Sequence, residues 1–129
     1  MQGILSTLLF LAAILNIVLG TGFLVNPENA GADFGLAVTG LHGSSTLRGD
    51  MTSFFYVSAA FMALGARRRS ATLLAPALAL YSVTFVGRAI NLVLQGPYEG
   101  WYVTMGVEAL LVGLMLAAIR SWRSAPSSI

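Results

Sequence analysis

The sequence predicts an all-α protein: a transmembrane four-helix bundle with both termini cytoplasmic and a short interfacial segment between helices 1 and 2. Three observations carry this expectation. Of the 129 residues, 57% are hydrophobic and 9% charged, a composition of membrane proteins rather than soluble domains. Four segments, at about 3–25, 46–66, 71–95 and 101–119, reach the roughly 20 apolar residues that a helix needs to cross a hydrocarbon core of about 30 Å. Five of the seven arginines fall in two clusters, "ARRRS" and "IRSWRS", which a four-span chain places on one side of the membrane.

The first segment, "MQGILSTLLFLAAILNIVLG", has the apolar run of a secretory signal but no basic start and no small-residue cleavage pattern, so it is read as a span. The connection that follows, "NPENAGADFGLAVTGLHGSS", opens on the breaker Pro27 and ends on Ser44, Ser45 and Thr46, any of which can cap the second helix. Between them Phe34, Leu36, Val38 and Leu41 suggest an interfacial or re-entrant piece. Positive-inside bias puts Arg67, Arg68 and Arg69 in a cytoplasmic loop and Arg120 and Arg123 in a cytoplasmic tail. Pro76, inside the third segment, is expected to kink it or mark a late start, because proline removes a helical hydrogen bond. The turn "QGPYEG" then leads into the fourth segment, with Tyr98, Trp101 and Tyr102 as headgroup-level aromatic anchors and Trp122 matching them at the other end. The pairs Ala59/Ala63 and Gly113/Ala117 allow close helix contact. No internal repeat is visible, and the chain holds one domain, residues 1–129.

Composition also excludes. With no cysteines, disulfide scaffolds, thiolate metal sites and thiol catalysis are ruled out. The formal charge of +2 and the clustered arginines give no stripe that tracks phosphates, so nucleic acid is not an expected partner. His42, the single histidine, reads as a turn residue and not as a metal ligand or general base. No cofactor motif is present: "GTG" at 20–22 lacks the strand and the third glycine of a dinucleotide site.

The chemistry of interest lies in the outer half of the spans. Arg88 is seven residues inward from Gln95, about 10 Å at 1.5 Å per residue, and Glu108 is the same distance inward from Trp101. Asp50 lies roughly 7 Å below Ser45, and Arg48 slightly above it. Three spans thus deliver two arginines and two carboxylates to one layer. On the third span Tyr81, Thr84, Arg88, Asn91 and Gln95 follow spacings of three and four and form one polar stripe, which cannot face lipid. Arg48 and Asp50 point about 160° apart, so the economical pairing is Arg88 with Asp50 or Glu108, leaving the other carboxylate to Arg48 or freeing Arg48 to snorkel. A charge left alone at mid-membrane costs from roughly 3 to well above 10 kcal/mol, so such groups pair or line a wet cavity. The cluster is either an interhelical lock or a pocket. The surplus of Asn16, Tyr56, Tyr81, Thr84, Asn91 and Gln95 over what two ion pairs require favours a pocket.

The "NP" break after the first span, "LRGD" opening the second, the basic loop, and "GRAINLVLQGP" ending the third resemble a bacterial family of small four-span membrane proteins known as a domain of unknown function. The resemblance covers nearly the whole chain; its most specific parts are Arg48, Gly49 and Asp50, then Gly87, Arg88 and Gly96. It implies a bacterial inner membrane location and brings no activity. "RGD" at a helix start in such a chain is not an adhesion signal.

The candidate ligand-binding residues are therefore Arg48, Asp50, Tyr56, Tyr81, Thr84, Arg88, Asn91, Gln95 and Glu108. The leading expectation is a protein that binds a lipid-like or amphipathic small molecule, its head near Arg88 and its tail among Phe54, Phe55, Phe61 and Phe85. A second is an accessory subunit of a larger membrane complex, or a homodimer, with ion pairs that only hold the bundle. A third is a small proton-coupled transporter using Glu108 or Asp50, weakened because the inner half offers no relay beyond Ser6, Thr7 and Ser58. Catalysis ranks below binding, since neighbouring arginines counter any rise in a carboxyl pKa that acid–base work needs.

Overall fold

The computed structural model describes residues 2–124, and these are helical with no strand. Helix α1 spans Gln2–Val25, α2 Pro27–Ala32, α3 Gly40–Thr46, α4 Thr52–Arg68, α5 Ala71–Gln95 and α6 Trp101–Ser124. The wide-turn segment Leu47–Met51 joins α3 to α4 without a break, so the second long rod begins earlier than the expected residue 46. Between the first two long helices the chain forms two short helices, α2 and α3. The bounds of α5 agree with the sequence expectation, and α6 runs on through Arg120 and Arg123, which therefore lie on a helix and not in a tail.

Each boundary has a local cause. The amide of Asn26 closes α1 on the Gly22 carbonyl at 2.9 Å, while its side chain accepts from the Asn29 amide at 3.2 Å and caps α2, where Pro27 occupies the first turn without losing a needed donor. At the end of α4, Arg69 takes the left-handed conformation (φ 48°), and the Ser70 amide reaches back to the Gly65 carbonyl at 3.1 Å. Ser70 then caps α5 by accepting from the Leu73 amide at 3.2 Å. Pro76 neither delays nor interrupts α5, which runs from Ala71; it stands little more than one turn in, where only a single backbone bond is lost.

The four long helices close a ring: α1 packs on α4 and α6, and α5 packs on the same two. Small residues permit the close crossings. A β-carbon at Gly65 would stand 3.2 Å from the backbone of Leu74, and one at Gly20 would stand 2.6 Å from the ring of Tyr56. One half of the ring is solid, filled by the fully buried Leu9, Met62, Leu74, Met115 and Ala118. At that end Arg69 Nη1 donates to Gln2 Oε1 at 2.7 Å and Gln2 Nε2 to the Ser121 carbonyl at 3.3 Å, so the start of α1, the α4–α5 turn and the end of α6 meet. Arg67, Arg68, Arg69, Arg120 and Arg123 gather there. The five carboxylates all lie toward the other half.

That other half is built differently. Phe34 folds in from the α2–α3 connection against Phe23 and Phe55, with ring centroids 5.6 and 6.0 Å apart. Most of the rest of the connection is exposed, and on α3 Leu41 is 92% exposed. The outward faces are largely apolar: Val25, Val83, Val93, Leu94 and Leu110 are each more than 70% exposed. A water-soluble monomer does not present such a surface. Three helices, α1, α5 and α6, are long and apolar enough to cross a membrane. The chain is thus an all-helical protein with the character of a membrane protein.

Candidate functional site

Above the solid half the ring opens around a cavity of about 510 Å³. All four long helices contribute to it: Leu15 and Leu19 from α1, Phe54 and Phe55 from α4, Tyr81, Thr84 and Arg88 from α5, and Val107 and Glu108 from α6. Phe34 closes one side, and Asp50 and Met51 reach it from the wide turn. A turn with i→i+5 bonding holds more residues than an α-turn, and such turns recur at functional positions. Here the turn leaves Asp50 and Met51 on the cavity while Arg48, two residues earlier, faces α1.

The polar pole of the cavity is an ion pair. Arg88 Nε donates to Glu108 Oε2 at 2.8 Å; the arginine side chain keeps 28% of its surface exposed and the glutamate only 9%. This is the interhelical pairing expected for Arg88, with Glu108 as the partner and not Asp50. The second carboxylate oxygen, Oε1 of Glu108, is buried without a hydrogen-bond partner. An unmatched buried charge-bearing acceptor costs about 1–3 kcal/mol or more, so this carboxylate is an unfinished site.

The floor is a separate network. Tyr81 Oη donates to Asn16 Oδ1, and Asn16 Nδ2 donates to the Ala12 carbonyl at 2.8 Å and approaches Met62 Sδ at 3.7 Å. Asn16 is fully buried and ties α1 to α4 and α5. Thr84 satisfies its hydroxyl on its own helix, donating to the Leu80 carbonyl at 2.8 Å.

Of the nine residues expected to bind, five line the cavity: Asp50, Tyr81, Thr84, Arg88 and Glu108. The other four do not. Arg48 Nε donates to the Leu24 carbonyl at 2.8 Å, where a cation completes the last turn of α1, and so forms no second ion pair with a carboxylate. Asp50 accordingly has no ion-pair partner among the described residues; its backbone carbonyl accepts from Ser53 Oγ at 3.0 Å. Tyr56 turns toward α1, sharing a 2.6 Å hydrogen bond with Thr21 Oγ1. Asn91 and Gln95 are exposed on the outer turns of α5. The polar stripe on α5 is therefore sheltered only as far as Arg88.

The expected aromatic tail site also divides. Phe54 and Phe55 line the cavity, Phe61 packs against the solid core, and Phe85 belongs to a different groove with Val86, Ile90 and Val93. Phe34, Leu15, Leu19, Val103 and Leu111 were not among the expected lining; an apolar residue facing a cavity carries no mark in sequence that separates it from one facing lipid. Among the described residues no group of His, Cys, Asp and Glu is placed to hold a metal ion, and His42 stands alone on α3. No protein-family model, curated protein or solved structure matches this chain, so geometry alone carries the functional argument.

Proposed function

We propose that this chain is an integral membrane protein that crosses the bilayer four times and holds an amphipathic small molecule in the cavity between its helices. In this reading α4, extended by the wide turn and α3, is the fourth span. The arginine-rich end lies in the cytoplasm by the positive-inside rule, with both termini there, and the cavity opens within the outer leaflet. A bacterial inner membrane is the location that the family resemblance implies.

One observation carries the binding reading: a cavity of about 510 Å³ with apolar walls and a few convergent polar groups at one pole, one of them the Arg88–Glu108 pair. That volume and that distribution are what small-molecule sites share. A lock between helices needs the ion pair but not the space beside it. The head of the ligand sits by Arg88 and Glu108, and its body lies along Leu15, Leu19, Phe54 and Val107.

Native mass spectrometry of protein extracted in mild detergent tests this. The wild type should carry one small molecule per chain. Val107→Trp, which fills the cavity and leaves the ion pair intact, should release it while the protein stays folded. A chain that carries nothing, and gains no thermal stability from any added amphiphile, refutes the reading.

A further inference from the structure

We infer that the cavity selects an amphipathic cation, a hydrophobic body bearing an ammonium or other onium head, over anionic amphiphiles. The inference rests on the reading of the cavity as a ligand site and names the class of ligand.

The charged residues on the cavity wall are Asp50, Arg88 and Glu108. Their formal charges sum to minus one. The positive member is already matched: Arg88 Nε is engaged at 2.8 Å by Glu108, which is only 7% exposed. An anionic head could reach only the Nη donors that Glu108 leaves free, would lie beside that carboxylate, and would bring the cavity to minus two. Negative capacity, by contrast, is left over in two places. Glu108 Oε1 is buried without a partner, and Asp50 stands at the rim with no ion pair among the described residues. Among the described residues no other cation is placed to answer them. Arg48 is turned to the Leu24 carbonyl, and the remaining arginines sit at the opposite end of the molecule.

The walls add a second, independent preference. Phe34, Phe54, Phe55 and Tyr81 all line the cavity, with the Phe54 ring centroid 5.1 Å from that of Phe55 and 5.2 Å from that of Tyr81. Aromatic faces attract cations and not anions, the more so where water is excluded. A single positive charge between Asp50 and Glu108 neutralises the site and meets these rings.

Equilibrium dialysis of the full chain in an uncharged detergent tests the inference with three probes of similar shape: tetraphenylphosphonium, tetraphenylborate and the neutral triphenylphosphine oxide. The wild type should bind the phosphonium saturably, one per chain, at least tenfold more tightly than the neutral probe, with no saturable binding of the borate. Asp50→Asn, a change at an exposed and unpaired side chain, should weaken phosphonium binding about tenfold, equivalent to about 1.4 kcal/mol, without altering the elution volume of the protein. Saturable borate binding at equal or greater strength, or an unchanged phosphonium affinity in Asp50→Asn, overturns the charge preference. Saturable binding of the neutral probe alone overturns it too, but leaves the cavity reading standing. Failure of all three probes to saturate removes both.

Discussion

Replacing Arg88 with Met tests the ion pair most directly. Glu108 loses its only hydrogen-bonding partner and is left as a buried carboxylate with both oxygens unmatched, since Oε1 has no partner to begin with. Two unit charges about 4 Å apart interact by about 4 kcal/mol at an effective dielectric of 20. The arginine keeps 28% of its surface exposed, which screens the pair and argues for the lower end of the 3–5 kcal/mol typical of breaking a buried pair from one side. The expected loss is therefore about 3 kcal/mol. Removing the charge as well as its partner should recover most of it, because the penalty belongs to the stranded carboxylate. Arg88→Met with Glu108→Gln is expected to cost about 1 kcal/mol, a residue of lost packing and one unmatched amide. Reversible unfolding by a denaturing detergent, followed by circular dichroism in all four members of the cycle, gives the coupling. A single-variant loss below about 1 kcal/mol, or a double variant as unstable as the sum of the singles, would refute the account of the pair as a shielded charge contact.

Other consequences follow from the packing. Gly20→Ala should destabilise by about 1–3 kcal/mol, since its β-carbon would stand 2.6 Å from the Tyr56 ring, and Tyr56→Ala in the same chain should relieve the clash. The same unfolding assay decides, and equal losses with and without Tyr56 would count against it. Asn16→Leu strands the Tyr81 hydroxyl and should cost about 1–3 kcal/mol, whereas Asn16→Leu with Tyr81→Phe should lie close to wild type. Because the chain has no cysteine, Ser70→Cys and Glu99→Cys provide single labelling sites at opposite ends. In sealed bacterial cells a membrane-impermeant maleimide should label the second and spare the first; the reverse pattern inverts the proposed orientation.

Helices α1, α5 and α6 were legible because apolar length is written directly in the residues, whereas α4, less apolar and preceded by the wide turn, starts six residues after the expected 46. Depth alone put Arg88 in one layer with Asp50 and Glu108 and left open which of the two it meets; the structure pairs it with Glu108. What escaped is what depends on direction and not on depth. The sequence leaves Arg48 to a carboxylate or to snorkelling, yet the wide turn and the last carbonyls of α1 offer it a nearer partner, Leu24. Asn91 and Gln95 continue the stripe of Arg88 in helical register, but register says nothing about which turns of a face a neighbour covers. Phe34 reads in sequence as part of an interfacial or re-entrant piece with no assigned partner; its place beside Phe23 and Phe55 follows from the end of α2, where Gly35 at φ 72° reverses the chain.

The asymmetry between the two halves of the ring limits what the cavity can do. Leu9, Met62, Leu74 and Met115 leave no passage beneath Tyr81, so whatever enters does so from one side and must depart by the same door. In this conformation the molecule is a cup and not a pipe, and lipid bilayers reconstituted with it should show no ionic conductance.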